Sequence, residues 1–260
     1  MTGWGALAIA GGFSAAAAAL GWLTGGGAAA AVLIGWAVFR GGGLAGGALL
    51  ALFFVSGSLL TSALRRRPVD GDVPPAGGRT WRQVLANGAW AGAGALLIPT
   101  QPHLGWPVLV GALAAAQADT WGTEIGGLSP RRPRLITTGR DVPPGTSGGV
   151  TPLGTAAGVA GAVAMGGLAA ALGAPTIAAL AAFAGGIAGT LADSLLGAGV
   201  QARYHCPACA VDTESRRHRC GTRTRHVSGH RWIDNDVVNL GATTAGAAVA
   251  VGLASLVRGM

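Results

Sequence analysis

The chain contains no lysine. Its basic residues are 18 arginines against 10 acids, a net charge of +8, so a phosphate loop of the Walker type, which places a lysine on the phosphates, is excluded. Charge of either sign is scarce. Only 11% of the 260 residues are charged, half are hydrophobic and the mean hydropathy is +0.49, a profile that a water-soluble domain of this length rarely shows. Cysteine is scarce too. Cys206, Cys209 and Cys220 all fall in one arginine-rich polar segment, and their odd number argues against a closed set of disulfides and for thiols or metal ligands. The first apolar run has no basic residue ahead of it and no clear small-residue cleavage site, so retention as a helix is expected and removal as a signal is not. Neither a sustained heptad pattern nor a repeat of roughly 20 to 50 residues is present.

What is present is a series of apolar runs, each near the roughly 20 residues a helix needs to cross a bilayer. They cover Trp4–Leu23, Leu44–Leu64, Val84–Pro99, Trp106–Leu128, Val150–Leu172, Thr176–Val200 and Val237–Val257, with a shorter run, Ala28–Phe39, as an eighth. Glycine and proline clusters separate them. The expected fold is all-α, a polytopic membrane helix bundle of about 7–8 transmembrane helices forming one domain over residues 1–260. The 47 glycines suit close helix contact in lipid, and a GC-rich genome would give the same bias. Three arginine-rich loops, 65–82, 129–147 and 201–233, share a side if every run crosses once; by the positive-inside rule that side is cytoplasmic. Eight spans would put both termini outside, and seven would put the N-terminus inside.

Between Arg82 and Arg131 the only charges are Asp119 and Glu124, in ADTWGTEIGGLS. An ionised carboxylate in hydrocarbon needs a cation, a polar cavity or a metal to hold it. On a helix Asp119 lies one turn from Thr123 and Thr120 one turn from Glu124, an all-oxygen strip of the kind that hard cations such as Mg²⁺ take. Helix-packing acids satisfied by arginine are the simpler alternative. A loop with Arg131, Arg132, Arg134 and Arg140 follows, then Gly145, Thr146, Ser147, Gly148 and Gly149 before the next apolar run, which reads as a polyphosphate cradle. Asp193, beside Ser194, is a third isolated acid. In WIDNDVVN, Asp234 or Asn235 suits a helix cap, whereas Asp236 and Asn239 lie deeper. Arg79, Arg82, Gln83 and Asn87 form the polar mouth of another run. Cys206, Cys209, His218 and Cys220 make a Cys₃His set suited to a structural tetrahedral zinc in a subregion at 201–233; His205, His226 and His230 are alternatives to His218, and reduced thiols without metal are the alternative to zinc.

Taken in order from about Arg79 to Asn239, ADTWGTEIGGLS, PPGTSGGV, GTLADSLLGAGVQ, CPAC with HRCG, and WIDNDVVN resemble the transmembrane protein 19 family, which includes the plant and cyanobacterial phytyl-phosphate kinases. That family is distantly similar to CTP-using membrane enzymes such as dolichol kinase and phosphatidate cytidylyltransferase, which often carry lysine in the turn where this chain has arginine. The resemblance implies Mg²⁺-dependent phosphoryl transfer from a nucleoside triphosphate, CTP by analogy, to an isoprenoid monophosphate. On that reading Asp119, Glu124 and Asp193 hold Mg²⁺, Arg140 and Gly145 to Gly149 hold the triphosphate, and Asn87, Thr120, Thr123, Ser194, Asn235, Asp236 and Asn239 supply further contacts. The partners are nucleotide, prenyl phosphate and membrane lipid, with no nucleic acid, at the cytoplasmic face of the plasma membrane. A lipid cytidylyltransferase and a transporter or flippase are the competing expectations.

Overall fold

A computed structural model describes residues 2–64 and 77–259; the first part of the loop 65–82 lies outside the described residues. The described residues form seven helices: α1 Gly3–Ala19, α2 Gly25–Leu64, α3 Trp81–Leu97, α4 Pro102–Gly126, α5 Pro152–Ala171, α6 Thr176–Gly199 and α7 Asn235–Gly259. Capping marks their starts. Thr80 and Gln83 form a reciprocal capping box on α3, Thr151 accepts from the Gly154 N–H at the start of α5, and Asp234 accepts from Val237 on α7.

The long helix α2 is two limbs. Gly43, at φ 61° and ψ −152°, breaks it, a backbone position that glycine adopts without a Cβ penalty. The chain reverses there. Thr24 donates its N–H to the Arg79 carbonyl and the Arg79 side chain reaches Ser58, so both outer ends of α2 meet the start of α3. Gly41 instead lies against Ala95, at the far end of α3, about 24 Å away at 1.5 Å per residue. Seven helices with one broken in two make eight segments, so the short run Ala28–Phe39 belongs to a full limb, Gly25 to Gly42. The start of α1 and the end of α7, with Arg40 and Arg258, lie at the end of the bundle opposite the described parts of the arginine-rich loops, as the eight-span count expects.

Helix α4 is the axis. Every residue from Leu109 to Ala118 is buried, and α2, α3, α5, α6 and α7 all pack on it. Small residues make that possible. A Cβ on Gly246 would come within 2.6 Å of the Ala115 Cβ and 2.7 Å of the Gly111 carbonyl, and one on Gly185 within 2.6 Å of the Gly246 carbonyl. Gly11, Gly12, Gly167 and Gly252 have open space beside them, so packing explains only part of the glycine content. Outward-facing Leu33, Leu59, Leu180 and Leu195 leave the bundle's exterior apolar.

Two short sheets, unforeseen in the helical pattern, decorate the arginine-rich end. Strands β1 (Arg134–Leu135) and β2 (Gly149–Val150) close the loop after α4 into an antiparallel hairpin. Strands β3 (Arg203–Cys206), β4 (Val211–Thr213) and β5 (Arg225–Ser228) form an antiparallel sheet in the order β4-β3-β5.

Candidate functional site

Asp119 sits seven residues before the end of α4 and Asp193 six before the end of α6, each within about two turns of the arginine-rich end. Their carboxyl groups are in hydrogen-bonding contact, and Glu214 is close enough to add its charge to Asp193. Two carboxyls in contact within a helix bundle must share a proton or surround a cation. Glu214 also accepts from the Ser147 hydroxyl, while Arg203 donates to the Ser147 carbonyl at 3.1 Å. The turn and the sheet segment thus close over the carboxylate pair.

Gly148 lets the turn come that close. It has φ +76°, and a Cβ there would stand 2.6 Å from the Ser194 carbonyl and 2.5 Å from the Ala198 Cβ. Ser147 and Gly148 are therefore seated on the last two turns of α6, beside Asp193. The turn does not itself begin α5, because β2 and the Thr151 cap intervene. Thr146 and Gly149 use their N–H groups inside the turn, on Pro143 and Thr146. The turn is thus not the helix start that the sequence suggested for a phosphate.

The other expected residues spread over neighbouring faces. Glu124 points to α2, where it accepts from the Thr61 hydroxyl, and Thr123 is exposed. Five residues turn a helix well past one face, so Asp119 and Glu124 do not converge; among the described residues no three-carboxylate group of Asp119, Glu124 and Asp193 forms around one point. Arg140 is exposed in the turn that closes the β1 hairpin. Asp234 and Asp236 pair with Arg82 at 2.7 and 3.5 Å, and Asn235 is exposed at the first turn of α7. The Asn239 carbonyl accepts from Thr243, within α7.

Asn87 belongs to a different feature, an apolar cavity between α1, α2 and α3 lined by Phe13, Leu23, Ile34, Leu50, Phe53 and Phe54. Its polar rim is Arg79, Gln83 and Asn87. The Arg79 guanidinium lies 5.0 Å from the Phe54 ring centre, within cation–π range, and donates to Ser58 at 2.6 Å. Arg79 and Thr120 both flank Gly57, so the rim touches α4 one residue from Asp119.

Several contributors were not singled out from the sequence. Gln117, fully buried, and Trp121 donate to Ser56, and the Gln117 side-chain oxygen Oε1 has no partner among the described residues. A lone amide two residues before Asp119 in an apolar run was a readable signal. Glu214, in an arginine-rich loop, looks like an ordinary surface acid.

In the turns beside the sheet, the Cys220 thiol is drawn down to about 5 by hydrogen bonds from Thr222 and His218, and Cys209 is pushed up to about 11 by its contact with Cys220.

A family model described as integral membrane protein DUF92 matches residues 8–247. Protein PGR of Arabidopsis thaliana is 32% identical over 229 residues, covering 74% of this chain and 76% of that protein. The uncharacterized membrane protein MJ0933 of Methanocaldococcus jannaschii is 36% identical over 122 residues, covering 46% of this chain and 50% of that protein. No solved structure matches this chain. The family resemblance carried by the motifs is borne out, and the chain belongs to the DUF92 family of integral membrane proteins.

Proposed function

We propose that the protein is a membrane-embedded kinase that transfers a phosphoryl group from a nucleoside triphosphate, CTP by analogy, to an isoprenoid monophosphate, giving the diphosphate. The observation that carries this reading is the meeting, at one end of the bundle, of the Asp119–Asp193 pair, the Gly145–Gly149 turn and the Arg79-rimmed apolar cavity. A hard oxygen donor set of two touching carboxylates with a third acid nearby fits Mg²⁺. Asp119 and Asp193 would hold that ion, which when bound offsets charge on the transferring phosphate.

The chain's own groups supply the rest. The turn over α6 and Arg203 position the triphosphate, and Arg79 meets the acceptor phosphate while its tail lies among Phe13, Phe53 and Phe54. The acceptor nucleophile is a phosphate oxygen, already ionised near neutral pH, so no strong general base is required. The active end would face the cytoplasm, where nucleotide is available and arginine-rich loops reside. A transporter would be expected to place its acids near the midplane, whereas these lie close to one end.

The test is incubation of detergent-purified protein with Mg²⁺, phytyl or geranylgeranyl monophosphate, and each of CTP, ATP, GTP and UTP, with products identified by mass spectrometry. A lipid diphosphate with the matching nucleoside diphosphate is expected. A CDP-lipid with pyrophosphate would make the protein a cytidylyltransferase, and no product from folded protein would favour transport. Gly148→Ala should raise the KM for nucleotide about tenfold, because a Cβ at positive φ pushes the turn off Ser194. The KM for the prenyl phosphate should stay within a factor of about two, since the cavity lies across α4; equal rises in both would refute the assignment of the turn to the triphosphate.

A further inference from the structure

The segment after α6 gathers four side chains that phosphoryl transfer does not use. Cys206 ends β3, Cys209 lies in the turn to β4, and His218 and Cys220 follow β4. Their ligand atoms all lie within 4.8 Å of one another. The Cys206 and Cys220 sulfurs are 3.7 Å apart and His218 Nδ1 is 3.2 Å from the Cys220 sulfur. Disulfide-bonded sulfurs would stand about 2.05 Å apart. Two sulfurs each about 2.3 Å from one tetrahedral ion stand about 3.8 Å apart, close to the spacing seen. Three sulfurs and one imidazole, without an oxygen donor, select zinc over magnesium or calcium.

We propose that Cys206, Cys209, His218 and Cys220 bind one structural zinc ion, and that this ion clamps the segment carrying Glu214 against the membrane carboxylates. Glu214 follows Cys209 by five residues and precedes His218 by four, so ligands secure the segment on both sides. Little else does. Val211 is exposed, and β4 is held by a three-pair ladder to β3. A sheet this small buries too little apolar surface to fix itself, the usual setting for a structural metal. With four protein ligands no position is left open for substrate, so the ion orders the chain and does no chemistry.

The site can be tested whatever reaction the membrane carboxylates perform. Full-length protein purified in detergent from zinc-supplemented cells should carry about one zinc ion per chain by elemental analysis. Substituting both exposed thiols, Cys209→Ser with Cys220→Ser, should remove it, and Co²⁺ exchange into the wild-type chain should give the visible absorption of a tetrahedral thiolate site. Arg216, Arg217, Arg219 and Arg223 are exposed and report the clamp without any variant. Trypsin should cut there about tenfold faster after chelation, and added zinc should restore protection. Zinc below about 0.1 per chain, or zinc retained by the double variant, would overturn the site. Tryptic cleavage unchanged by chelation would overturn the clamp.

Discussion

Asp119→Asn is expected to lower turnover about a thousandfold while leaving the protein folded. Asparagine keeps the shape of the side chain and removes one charge from the pair with Asp193, in a part of the bundle where a lost charge is poorly replaced by solvent. Removing one electrostatic contributor to a transition state typically lowers rate by about 10²–10³, roughly 3–4 kcal/mol. The check is kcat with Mg²⁺ titrated over a wide range, alongside the thermal midpoint of the same preparation. Glu124→Gln is the informative comparison. Because Glu124 is turned toward Thr61 on α2, its loss should reduce turnover by less than about tenfold. An Asp119→Asn protein with a parental midpoint and turnover within about threefold of the parent would show that the carboxylate pair holds no catalytic ion.

The second large effect is on stability. Gly246→Val should destabilise the bundle by about 2–3 kcal/mol or more, because its side chain would be forced into Ala115 and the carbonyls of Gly111 and Gly185. Backbone at that three-helix contact cannot yield without moving α4, α6 or α7. A loss of this size corresponds to a drop of about 5–10 °C in the thermal midpoint of a chain this long. Gly252→Val, on the same helix with open space beside it, is the control and should shift the midpoint by less than about 2 °C. Equal midpoints for the two variants in one detergent would mean that α4, α6 and α7 do not meet at their glycines.

Much of the architecture was legible because apolar runs of bilayer length leave few alternatives to helices. The reversal at Gly43 was legible only as a glycine cluster, since one residue at positive φ both breaks a helix and turns the chain. Among site residues, Asp119 and Asp193 stood out as isolated acids in apolar helices. Glu214 and Arg203 did not, because charges are ordinary in a polar loop and only the folding of β3 and β4 over Ser147 brings them to the pair. The resemblance also grouped Asp236 and Asn87 as further contacts to substrate or nucleotide. Their helices turn them to separate places, Asp236 toward Arg82 and Asn87 toward the apolar cavity.

Composition and hydropathy by themselves determined that this is a membrane helix bundle, that its arginine-rich loops gather on one side, and that some acids must be held inside it. Those are one-dimensional consequences of how costly polar groups are in lipid. Which acids meet was decided only in three dimensions. Helix rotation about α4 sends Asp119 to α6 and Glu124 to α2, and glycine contacts set how closely those helices approach. Side-chain direction repeats every 3.6 residues, while partnership depends on the neighbour packed against each face, and a local pattern does not carry that neighbour's identity.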